Sequence, residues 1–240
     1  PADLQYVGSI PFSGSSFLSN DNPVFAADGT TGFISSNEAV LYSFDAATAT
    51  RLDPDGAPID TTGDAGYVGI HGDVVAAIHG TGVEFFDVSD PTDLRSISNC
   101  TPRGGHGVDF NCAGTQAAFG VIYPADVIYV CNVADASIVG TPFPVPGHPH
   151  FLEVVNGDRI VALTRSPVPN VVIISGMFTD AFLGDLDDDG DIDLSDLAQL
   201  LSNYGTASGA TYYDGDLDAD RDVDLSDLVA LLAVYGTTCG

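Results

Sequence analysis

The stretch Val74-Val-Ala-Ala-Ile-His-Gly-Thr-Gly-Val-Glu-Phe-Phe-Asp-Val-Ser-Asp-Pro91 holds two short apolar runs, a Gly-bearing turn between them and a polar stop after them. Each run has the length and the β-branched or aromatic content of a strand. The second run has counterparts along the chain. Val40-Leu-Tyr-Ser-Phe-Asp45, Gly82-Val-Glu-Phe-Phe-Asp87, Val127-Ile-Tyr-Val-Cys-Asn132 and Val171-Val-Ile-Ile-Ser-Gly176 start 42, 45 and 44 residues apart. Another run precedes each: 32–35, 74–78, 116–121 and 159–163. Before that comes a third: 23–26, 67–70, 107–110 and 150–154. A fourth closes the unit, as at 94–97 and 137–141. Four short strands per 40–45 residues is the period of a propeller blade. One such sheet cannot bury both faces alone, so the blades must stack.

Val83-Glu-Phe-Phe-Asp-Val-Ser-Asp-Pro91 resembles the LVIVD repeat, and the other units are similar to the wider YVTN-like propeller group. The resemblance covers 1–176 and implies a β-propeller of about four blades. In physical terms, Asp87 and Asp90 cap a turn and Pro91 fixes its φ. The fourth unit lacks an outer strand before the composition shifts near Gly176. Leu4-Gln-Tyr-Val-Gly-Ser-Ile-Pro-Phe12 reads like the outer run of the third unit, Ser137-Ile-Val-Gly-Thr-Pro-Phe143. Either it completes the last blade of its own ring, or an open arc of blades accepts it from a neighbour. The second arrangement, repeated head to tail, makes a fibre.

The 240 residues carry 34 acids and 6 bases, a formal charge of −28. Nearly all the acids are Asp, all the bases are Arg, and Lys is absent. Such a chain repels phosphate backbones, which excludes nucleic-acid binding. No apolar stretch reaches the length of a membrane span. With 45% hydrophobic residues the chain can still build a core. The charge divides it: residues 1–180 hold 20 acids and five Arg, whereas 181–240 hold 14 acids and one Arg. We therefore expect two domains, a mainly β repeat domain at 1–180 and a small α-containing module at 181–240.

Four cysteines, Cys100, Cys112, Cys131 and Cys239, allow three pairings of two disulfides. Proximity favours Cys100 with Cys112, leaving Cys131 to tie a blade strand to Cys239. Disulfides and a start at Pro1 fit a mature, secreted or cell-surface product. His106, His148 and His150 precede first strands, which line a propeller's channel; they read as polar loop residues, with a channel metal or binding site as the alternative. No nucleophile elbow, phosphate loop or zinc-protease motif occurs.

The sharpest chemical signal is the acidic tail. Asp185, Asp187, Asp189, Asp193 and Asp196 occupy positions 1, 3, 5, 9 and 12 of a twelve-residue loop. Asp216, Asp218, Asp220, Asp224 and Asp227 repeat this 31 residues later. That is the EF-hand order of oxygen ligands for Ca²⁺. Position 7 (Asp191, Asp222) is expected to offer its backbone carbonyl. Apolar position 8 (Ile192, Val223) suits two loops paired back to back. Arg221 stands where Gly190 makes the sharp turn of the first loop, so the second site is expected to be the weaker. Each loop leads into a helix with a stripe of Leu197, Leu200, Leu201 and Tyr204, or of Leu228, Leu231, Leu232 and Tyr235. Residues 183–237 thus resemble a type I dockerin, which implies two bound Ca²⁺ and a cohesin-like receptor. The dockerin pattern of partner-contacting residues is not recognisable at Leu194-Ser195 and Leu225-Ser226.

The expectation is a non-enzymatic, secreted calcium-binding structural or adhesive protein that self-associates. A module docking on a cohesin-like receptor is the second reading, and a propeller hydrolase or lyase the third.

Overall fold

The computed structural model describes residues 8–10, 22–36, 39–59, 66–102, 105–122, 124–155, 159–165, 169–178, 182–187, 189–218 and 220–238. Its sheets follow the repeat units. The first contains β1 (Val24–Phe25), β2 (Thr31–Ser36), β3 (Val40–Asp45) and β4 (Thr50–Arg51), with β5 (Ala57–Pro58) also paired to β3. The second is β6 (Val68–His71), β7 (Val74–His79), β8 (Gly82–Asp87) and β9 (Arg95–Cys100). The third is β10 (His106–Phe110), β11 (Gln116–Val121), β12 (Val127–Asn132) and β13 (Phe143–Pro144). The fourth is β14 (Pro149–Val155), β15 (Arg159–Thr164) and β16 (Asn170–Ile174). All are antiparallel meanders of neighbouring strands. Two helices follow, α1 (Leu194–Asn203) and α2 (Leu225–Val234).

Stacking explains why the middle strands are apolar at nearly every position. On β7, Val75 and Ala77 pack with Phe33 and Leu41 of the first sheet. The alternate residues Ala76 and Ile78 pack with Phe110 and Phe119 of the third. A third cluster joins Ala118, Ile128 and Val130 to Leu152, Ile160 and Ala162 of the fourth. The innermost strands come so close that a Cβ on Gly69 would lie 2.7 Å from the Val108 carbonyl oxygen. Bulk there would force the second and third sheets apart.

The turn after β8 is capped as its residues suggest: the Asp87 and Asp90 carboxylates accept the Ser89 and Thr92 amides at 3.0 and 2.9 Å. The outer run of the third unit shifts. Ser137–Thr141 forms only an isolated bridge between Ile138 and Cys131, and the paired outer strand is β13. The fourth sheet has three strands among the described residues. Of Leu4–Phe12 only 8–10 are described, and they form no strand. A Cβ at Gly8 would lie 2.7 Å from that of Ala49, in the turn after β3. The corresponding turn of the third sheet receives a hydrogen bond from the outer strand of the second, Ser98 Oγ to the Val133 carbonyl at 2.5 Å.

The disulfide expectation is corrected. Cys100 at the end of β9 is bonded to Cys131 on β12, with Cα atoms 6.5 Å apart, so the bridge joins adjacent sheets. Strand stacking, invisible in sequence spacing, brings these two together instead of Cys100 and Cys112. The Cys131–Cys239 pairing falls with it. Cys112 is disulfide-bonded too; Cys239 lies outside the described residues. Thr238 and Cys112 line one cavity with Phe25 and His71, so the C-terminal segment lies against the ends of the sheets.

Candidate cation sites in the C-terminal loops

The loops are built the same way twice. Asp193 is the N-cap of α1, accepting the Ser195 amide at 2.6 Å. Asp224 is the N-cap of α2, accepting that of Ser226 at 2.6 Å. The carboxylate at position 12 returns the bond: Asp196 accepts the Asp193 amide, and Asp227 that of Asp224, each at 2.8 Å. Its other oxygen reaches the start of the loop, accepting Leu186 N–H at 2.6 Å or Leu217 N–H at 2.7 Å. Both residues are completely buried. The chain is therefore curled around position 12 by its own amides.

This curl makes carboxylates converge. Oxygens of Asp185, Asp187 and Asp196 lie within 4.8 Å of one another, as do those of Asp191, Asp193 and Asp196. The second loop repeats both groups with Asp216, Asp218 and Asp227, and with Asp222, Asp224 and Asp227. Asp189 and Asp220 stand outside these groups and accept the Asp191 and Asp222 amides at 3.2 and 3.0 Å. At position 7 the Asp191 and Asp222 carboxylates lie within these groups.

A hard cation fits these donors. Asp216 is 6% exposed, yet its Oδ1 has no hydrogen-bond partner, and the same holds for the buried Oδ1 atoms of Asp191 and Asp222. Desolvation, and then neighbouring carboxylates, raises Asp185, Asp187 and Asp191 above the usual carboxylate range. Asp218 and Asp222 are raised likewise. Oxygen-only clusters of this kind suit Ca²⁺ far better than a soft metal. The residues that would hold it are Asp185, Asp187, Asp191, Asp193 and Asp196, and their counterparts 31 positions on.

The loops differ at one point. Gly190 has φ +92° and Arg221 has φ +76°, so a bulky residue occupies left-handed backbone only in the second. Two further expectations change. Ile192 and Val223 are buried in one core cluster, but their backbones do not bond each other. Instead Ile192 bonds Gly236 and Thr237 beyond α2, while Val223 bonds Gly205 and Thr206 beyond α1. Each helix stripe is only half used: Leu200 and Leu231 are buried, whereas Leu201, Tyr204, Leu232 and Tyr235 are 45–52% exposed.

Of the histidines, His106 and His150 stack at 4.2 Å, joined by Tyr67, which sequence patterning did not single out. His148 is apart from them, with its Nδ1 2.6 Å from Asp126.

No protein-family model matches the chain, and no curated protein sequence does. Solved structures do. The computationally designed Ika4 protein aligns with TM-score 0.56 and 10% identity, over 72% of this chain and 99% of its own. The β-propeller domain of Cps50 (Swd1) from Myceliophteria thermophila aligns with TM-score 0.55 and 16% identity, over 65% of this chain and 55% of its own. A chain of the mitotic checkpoint complex gives TM-score 0.55 and 11% identity, over 64% and 48%. The alignments thus span about half the length of these last two chains. The sheet-forming region of this protein has a β-propeller fold.

Proposed function

We propose that the chain is a non-enzymatic, calcium-binding structural or adhesive protein, working outside the cell or on its surface within a protein assembly. The observation that carries this is the buried, unpartnered Oδ1 of Asp216 inside a cluster of three carboxylates; the first loop repeats the cluster, with Asp185 Oδ1 accepting the Asp189 amide at 3.1 Å. A cation supplies the charge balance that no described base provides there. Among the described residues β16 has no outer partner strand, and Val171 and Ile173 on it are 64% and 68% exposed, which supports the assembly reading. A second reading, in which the tail docks on a separate cohesin-like receptor, is favoured by apolar residues exposed at matching places on both helices. These are Leu194 with Leu225, Leu201 with Leu232, and Tyr204 with Tyr235.

Calorimetric titration of the metal-free chain with Ca²⁺ tests the shared premise: two binding events are expected, and no heat of binding would sink it. Negative-stain microscopy with and without Ca²⁺ then separates the readings. Calcium-dependent rods or fibres support assembly by this chain alone. Isolated particles under both conditions overturn self-assembly and leave the docking reading.

A further inference from the structure

Two bulges shape one end of the propeller axis. On β10 the register slips at Gly107, whose φ is +73°. On β14 it slips between Pro149 and Phe151, at His150. Bulges re-aim side chains, and these bring the His106 and His150 rings into a stack. Tyr67 stands edge-on to both, its hydroxyl 3.3 Å from His150 Nδ1. Beside them opens a cavity of about 610 Å³, lined by Tyr67 and His150, by Phe151, Leu163 and Val171, and by Arg165. A neighbouring cavity of about 320 Å³ between the innermost strands shares Tyr67 and Phe151 with it.

The charges are distributed unexpectedly for so acidic a chain. Asp109 and Glu153 line the smaller cavity, but no described carboxylate lines the larger one. Arg165 forms no ion pair among the described residues, although acids outnumber bases 34 to 6. Its backbone is fixed, the amide donating to the His148 carbonyl at 2.9 Å. Burial lowers His106 to about 4 and lowers His150 as well, with the positive field of Arg165 adding to both. Both rings are therefore uncharged at neutral pH, and Arg165 is the full positive charge among the described lining residues.

We infer that this cavity binds a small organic carboxylate with a flat apolar body. The carboxylate sits on the Arg165 guanidinium, with Tyr67 and His150 as neutral polar partners, and the body lies against Phe151, Leu163 and Val171. The volume lies within the range of small-molecule sites, roughly 300–1,000 Å³. The net charge of −28 opposes any anion at long range. That repulsion is screened beyond about 8 Å at physiological salt, whereas contact with Arg165 is not.

Naphthoate is the probe, with uncharged naphthamide as its control, followed by calorimetry and by the imidazole proton signals. Naphthoate is expected to bind once per chain and to shift the His106 and His150 signals. R165M should weaken it by at least about tenfold, the usual cost of losing a charged hydrogen-bond partner. R165K should recover part of the loss, which separates a lost charge from a misfolded variant. Absence of saturable binding, equal affinity of R165M, or equal affinity for naphthamide would overturn the inference.

Discussion

In the sheets, Asp28, Asp45, Asp87, Asp90 and Asp135 each stand at a turn and accept amides two or three residues ahead. Hydrogen bonds to Thr31 hold Asp28 at about 2, and the other four are also lowered by the groups they accept. In the tail the same residue type is packed against itself, and Asp185, Asp187, Asp191, Asp218 and Asp222 are raised. Hydrogen bonds from the turns dominate in the first population, and burial among neighbouring carboxylates dominates in the second. The sheets are held by apolar stacking, so their acids are local fasteners. The small core of the tail, built on Leu186, Ile192, Leu200, Leu217, Val223 and Leu231, holds converging charges together, and under the proposed function a bound Ca²⁺ balances them.

Removing that ion is the strongest way to test the contrast. Exhaustive EGTA treatment should abolish most of the helical circular-dichroism signal and expose 181–240 to protease, while the sheet signal stays. A tail that resists protease after chelation would break the comparison.

Matched Asp→Ala substitutions come next. Asp227 is fully buried and accepts the Leu217, Asp218 and Asp224 amides. Its replacement should cost the calcium-loaded tail about 2–4 kcal/mol in urea unfolding. Asp87→Ala in the sheets should shift the urea midpoint far less, because its amide partner turns to water. Equal shifts would mean that the two populations do not differ.

A smaller gain is expected from Arg221→Gly. Relieving left-handed backbone at φ +76° should stabilise the second loop by about 1 kcal/mol and tighten its calcium binding, as read by calorimetry. An unchanged affinity would mean that this strain does not set the difference between the loops.

The least effect concerns pH in the sheets. His106 sits at about 4 when folded against an ordinary 6.5. The unfolded chain therefore takes the proton first as pH falls. Stability is full above 6.5, declines between 6.5 and 4, and levels off below the folded value. With Ca²⁺ saturating, His106→Gln should flatten that window in a urea-midpoint profile. An identical profile would show that burial of His106 is not linked to folding.

The order of strands was legible in sequence because burial and strand length are local. Val40–Asp45, Gly82–Asp87 and Val127–Asn132 are strands with those bounds. The acidic loops were legible for a related reason, since spacing along a short loop nearly fixes where its carboxylates can go. The helix stripes were only half right, because periodicity marks a face without saying what covers it.

By itself, then, the sequence determined most strands of the four sheets, that the sheets stack, and that carboxylates converge in each of the two tail loops. Only the tertiary structure decided that Cys100 meets Cys131 across adjacent sheets, and that Ile192 pairs beyond α2 rather than with Val223. It also decided that Tyr67, His106, His150 and Arg165 share one end of the propeller. Such contacts depend on how sheets sit against one another, and no period along a single chain encodes the distance between two stacked sheets.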